Sequence, residues 1–94
     1  MANNFSETDQ GDIKEFTRIC QQFLGEDLIS IILFGSVAKG KSNRYSDIDF
    51  CVVTKNNKEK EKYKIMKLFH RNCDVIMRTE QELAGYLQNL NALD

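Results

Sequence analysis

Residues 28–34 read Leu-Ile-Ser-Ile-Ile-Leu-Phe, apolar at every position but Ser30, and Gly35-Ser36 cuts the run off. A stretch this short, β-branched and free of alternation reads as a strand buried on both faces. Two further segments have strand character: Asp47–Val53, polar only at its start, and Cys73–Met77. Helical patterns lie between and around them. From Asp12 onward Ile13, Phe16, Cys20, Phe23 and Leu24 recur at three- and four-residue steps, and Gly25 ends the stripe. Ser36 can cap a single turn through Val37–Lys39 closed by Gly40, and 41–46 is a polar loop. Asn56 and Glu59 make a capping-box-like opening to a helix whose interior face is Ile65, Met66 and Phe69, flanked by Leu68. Thr79 and Glu82 form a second capping box ahead of Leu83, Tyr86, Leu87, Leu90 and Leu93.

The order α-β-(α)-β-α-β-α implies an α/β (α+β) fold: a small mixed three-stranded sheet flanked by helices. Ninety-four residues suffice for one domain, expected over 11–94 behind a loose polar tail at 1–10. With 41% apolar and 29% charged residues the chain can build a core, which excludes disordered and collagen-like classes. A formal net charge of −1 excludes a strongly basic nucleic-acid clamp and gives no pull toward anionic membranes. No apolar run approaches the ~20 residues that span a bilayer, and the first residues lack a signal peptide's basic and apolar regions. A soluble, cytoplasmic protein is expected. Cys20, Cys51 and Cys73 are odd in number and widely spaced, which suits neither disulfides nor a zinc knuckle; they read as small buried hydrophobes.

One constellation carries chemistry. Ten residues after Gly35-Ser36, Asp47-x-Asp49 opens the next strand. Residues two apart on a strand share a face, about 6.6 Å apart at Cα, so these carboxylates are expected side by side. Paired carboxylates at the end of a buried strand repel each other and resist desolvation, and a hard divalent cation relieves both costs. Oxygen-only ligands favour Mg²⁺, with Mn²⁺ possible. Asp74, between Cys73 and Val75, can complete the set from an adjacent strand; three acids on two strands are what a two-ion site needs. Gly35-Ser36 supplies the opposite half: glycine permits close backbone approach, and the following turn offers unpaired N–H groups to a phosphate. The spacing is not that of a Walker P-loop.

Gly35-Ser36 through Asp47-Ile48-Asp49 resembles the GS-x10-DxD signature of the polymerase β-like nucleotidyltransferase superfamily, and at this length the minimal nucleotidyltransferases, often MNT antitoxins paired with HEPN toxins. The resemblance implies that Gly35 and Ser36 hold the phosphates of ATP or another NTP. It implies that Asp47 and Asp49 bind two Mg²⁺ ions, and that Asp74 ligates the catalytic ion and helps deprotonate the acceptor hydroxyl. Lys39 stands where the family commonly has arginine; it keeps the charge for phosphate contact but not the bidentate fork. The implied reaction moves a nucleoside monophosphate, AMP from ATP, onto a hydroxyl with loss of pyrophosphate, the acceptor being a tyrosine of a partner HEPN-type toxin. Two alternatives stand beside it: a non-catalytic antitoxin that neutralises by contact, and an enzyme acting on a small molecule or an RNA end. Arg44 reads as a solvent-facing loop cation, His70 as a surface residue near a helix end, and the alternating charges of 58–64 as a solvated helix face.

Overall fold

Three strands form one mixed sheet in the order β1-β2-β3, with β1 Leu28–Phe34, β2 Ile48–Thr54 and β3 Cys73–Thr79. The computed structural model describes residues 6–35 and 47–85. β1 runs antiparallel to β2, and β2 runs parallel to β3. The parallel pair needs a crossover, and α2, Glu59–Leu68, provides it. Helix α1, Glu7–Leu24, precedes the sheet and ends in a short 3₁₀ turn at Gly25–Asp27. Residues 80–85 are helical after β3, where the Glu82 carboxylate accepts the Thr79 backbone N–H at 3.0 Å and Thr79 Oγ1 accepts that of Glu82 at 3.2 Å. That is the capping box read from Thr79 and Glu82. The turn expected at 37–39, the loop 41–46 and the leucine stripe from Tyr86 onward lie outside the described residues.

The core lies on one side of the sheet. Ile48, Phe50 and Val52 of β2, and Cys73, Val75 and Met77 of β3, point into it at alternate positions. Phe16, Ile19, Cys20 and Leu24 of α1 close over them with Ile65 of α2 and Phe69. Phe16 stacks on Phe50 with ring centroids 3.7 Å apart, and Phe69 meets Phe16 edge-on at 5.4 Å. The aromatic trio pins the start of β2, the part of the sheet that carries Asp49.

Four expectations need correction. β1 is not buried on both faces: it is an outer strand, and Ile29 and Ile32 are 42% and 46% exposed. Only its other face, through Ile31 and Leu33, packs on the core, so the unbroken apolar run concealed an inside and an outside. Helix α1 begins within the supposed tail, because Ser6 Oγ accepts the Asp9 N–H at 3.0 Å and caps it. Helix α2 opens at Glu59 with its N–H bonded to Asn57 Oδ1, while Asn56 donates to Asp27 instead. Cys51 is half-buried rather than core, because it points away from the helices; Cys20 and Cys73 are buried, and all three thiols are free. No helix among the described residues is long and apolar enough to cross a membrane.

Candidate active site

Alternation along β2 puts Asp49 on the face opposite Phe50. Register then decides its neighbours: Asp49 pairs with Phe34 of β1 on one side and with Asp74 of β3 on the other. Paired residues share a face, so Asp49 and Asp74 stand side by side on adjacent strands. Asp49 is half-buried and Asp74 is exposed. Gly35 follows directly on Phe34, with φ +77°, a backbone state that favours glycine. A Cβ placed on Gly35 would collide with Oδ2 of Asp49. The end of β1 therefore bends against the Asp49 carboxylate only because residue 35 has no side chain.

Asp47 departs from its expected place. β2 starts at Ile48, so Asp47 lies one residue before the ladder and is exposed. It stays within electrostatic reach: burial chiefly, then the charge of Asp74, a shared hydrogen bond with Asp74 and the charge of Asp47 raise the Asp49 carboxyl above its usual range. Among the described residues no Lys, Arg or His forms an ion pair with any of the three acids. Nor, among the described residues, are three or more His, Cys, Asp or Glu side chains gathered into a metal-holding cluster. The structure pairs two of the three expected acids across the ladder and leaves Asp47 one residue before it. A pair of facing carboxylates, oxygen donors only, has the chemistry that suits Mg²⁺ or Mn²⁺. Ser36, Lys39 and Arg44 lie outside the described residues.

An open cleft of ≈ 420 Å³ adjoins the pair. That is within the range of small-molecule sites, about 300–1,000 Å³. Phe34, Met66 and Ile76 supply apolar lining, and Lys62 and Tyr63 of α2 also line it. The depression at the other ends of β2 and β3, beside Thr54 and Thr79, holds only ≈ 70 Å³ and is too small for a nucleotide.

A second cluster, not anticipated from the sequence, fixes the approach to Asp74. Arg71 Nη1 bridges Asp9 Oδ1 at 2.6 Å and Asp12 Oδ2 at 3.1 Å, with all three side chains nearly buried. His70 Nε2 lies 2.6 Å from Asp12 Oδ1, so the histidine is exposed, as expected, yet partnered. These contacts tie the first turns of α1 to the segment that launches β3. Ser6-x-x-Asp9 is itself a helix-start signal and could have revealed the early start of α1. The pairing with Arg71, some sixty residues away, has no local signal.

A glycine bend seated on an aspartate, with a second aspartate beside it in a parallel register, is the geometry on which comparison with known proteins bears. The sequence profile described as "Nucleotidyltransferase domain" matches residues 13–89, most of the chain, including all three strands with Gly35, Asp49 and Asp74. The chain belongs to the nucleotidyltransferase domain family. Two proteins of Methanocaldococcus jannaschii are similar to it. "Putative protein adenylyltransferase MJ1305" is 54% identical over 44 residues, covering 47% of this chain and 30% of that protein. "Putative protein adenylyltransferase MJ0141" is 40% identical over 60 residues, 63% of this chain and 61% of its own length. The nucleotidyltransferase domain thus matches less than two thirds of either relative. Its mixed sheet and covering helices accord with the α/β architecture read from the sequence.

Proposed function

We propose that this nucleotidyltransferase domain transfers AMP from ATP to a protein hydroxyl and releases pyrophosphate. The observation that carries the reading is the Asp49–Asp74 pair set against the Gly35 bend, in a chain of this family. The names of the two Methanocaldococcus relatives support a protein as the acceptor.

In this reading Asp47, Asp49 and Asp74 hold Mg²⁺. Two bound ions would neutralise the triphosphate and polarise both the attacking and the leaving oxygen. Gly35, Ser36 and Lys39 hold the phosphates, and Gly35 does so by letting the bend sit against Asp49 without obstruction. Asp74, exposed where its partner Asp49 is half-buried, takes the proton of the attacking hydroxyl. Raised affinity of Asp49 for a proton is the counterpart of its readiness for a cation, since both relieve the same carboxylate repulsion. The remaining contribution of the chain is positioning: the Phe16–Phe50 stack and the Arg71 clasp hold the strands that present the acids.

We further propose that the acceptor is a tyrosine of a partner of HEPN toxin type, which the modification silences, so that the protein serves as an antitoxin. Incubation with α-labelled ATP, Mg²⁺ and the product of the neighbouring reading frame, followed by intact mass, tests this. One or more AMP units on the partner is the expected result. A folded protein that binds no nucleotide in the presence of Mg²⁺ would overturn the reading.

A further inference from the structure

We propose that Tyr63 is itself an AMP acceptor, so that the protein labels its own α2 helix. The inference rests on the nucleotidyltransferase reading above and adds a modification site to it. Three observations support it. Tyr63 lines the cleft that Asp49 and Asp74 border, and it bears the only hydroxyl among the described residues lining that cleft. It is 68% exposed, so its ring can swing toward the acids without vacating the core. Lys62 Nζ lies 5.3 Å from its ring centroid, where an ammonium would offset the single negative charge of a phosphodiester on the phenol.

Helix α2 packs against β3, so the tyrosine that lines this cleft stands on the side from which a nucleophile must come. The Gly35 bend, assigned to the phosphates, flanks Asp49 from β1, whereas Asp74 flanks it from β3. In-line displacement requires the entering oxygen opposite the leaving pyrophosphate, hence on the Asp74 side. There the cleft is walled by Ile76 of β3 and by Tyr63 and Met66, three residues apart on one face of α2.

The step balances without a further reactant. Tyr63 Oη forms a bond to the α-phosphorus of ATP, and the bond from that phosphorus to the oxygen bridging to the β-phosphorus breaks. Pyrophosphate leaves with the electron pair, and the phenolic proton passes to the Asp74 carboxylate and on to solvent. The product is an aryl phosphodiester of AMP.

The test is incubation of the full chain with α-labelled ATP and Mg²⁺, with intact mass, peptide mapping and a parallel calorimetric titration of ATP. The expected result is one AMP on the peptide containing Tyr63 and loss of that label in Tyr63→Phe. Metal-dependent ATP binding without an adduct, or with an adduct mapped elsewhere, would overturn the inference while leaving the nucleotidyltransferase reading intact. Absence of metal-dependent ATP binding in the wild-type protein would overturn both.

Discussion

Gly35→Ala is the substitution that asks most of the site for the least change in mass. Two costs combine at this position. A side chain at φ +77° costs about 1–2 kcal/mol relative to glycine. The added methyl also collides with Oδ2 of Asp49, and forcing a methylene into filled space costs about 1–3 kcal/mol. Their sum, about 2–5 kcal/mol, should appear in urea unfolding, or as a fall in Tm of about 8 °C or more for a domain of this size. Asp49 can escape the clash only by turning its carboxylate away, which relieves the strain but dismantles the pair with Asp74. Nucleotide affinity should then fall in calorimetric titration with ATP and Mg²⁺. Gly25→Ala is the internal control: Gly25 also has positive φ, +52°, but nothing lies within 4 Å of its would-be Cβ. It should lose only the backbone share, about 1–3 kcal/mol, and keep its affinity. If the two variants lost equal stability and bound nucleotide equally well, the contact between Gly35 and Asp49 would not be what shapes the site.

Three other outcomes follow from the same geometry. Because burial, Asp74 and Asp47 raise the Asp49 carboxyl, the folded state holds its proton to higher pH than the unfolded chain does. Stability from this group is complete below the unfolded value, about 3.9, and is lost as pH rises through the folded one. In chelator, Asp49→Asn should therefore be more stable than wild type at pH 7, with the advantage vanishing near pH 3; an Asn variant less stable at pH 7 would contradict this. Arg71→Met strips two nearly buried carboxylates of the guanidinium they share and should cost about 3–5 kcal/mol in urea titration, whereas a loss within ±0.5 kcal/mol would mean the clasp is idle. Burial pushes the Cys20 thiol up to about 12 and the Cys73 thiol up to about 11, so a thiol reagent at pH 7.5 should label half-buried Cys51 first and the other two only on unfolding. Faster labelling of Cys20 would contradict the core assignment.

Much of the fold was legible because its signals are local. Helical spacing of Phe16, Cys20 and Leu24, the stop at Gly25 and the Thr79–Glu82 box each depend on residues within a turn or two, and each appears where those residues put it. The errors arise where burial depends on distant partners. Nothing in Leu28–Phe34 reveals that β1 lies at the sheet's outside, since an apolar run looks alike whether one face is covered or both. Asp74 beside Asp49 was readable as a possibility from its apolar flanks, but only the parallel register of β2 and β3 makes the two acids neighbours. Asp47 strayed because a strand boundary one residue later takes it off the ladder, and period-two reasoning assumes the strand has already begun. The Arg71 clasp joins residues about sixty apart, beyond the reach of any pattern in one sequence.

Binding of Mn²⁺ followed by NMR is the most direct test of whether Asp49 and Asp74 make one cation site. A paramagnetic ion broadens the resonances of nuclei close to it, so substoichiometric Mn²⁺ maps its own position. Broadening centred on Asp49 and Asp74, spreading to Asp47 and Gly35 and absent in Asp49→Asn, is the expected result. Broadening centred instead on the Asp9–Asp12 cluster, or unchanged by that substitution, would show that the facing carboxylates do not hold the ion.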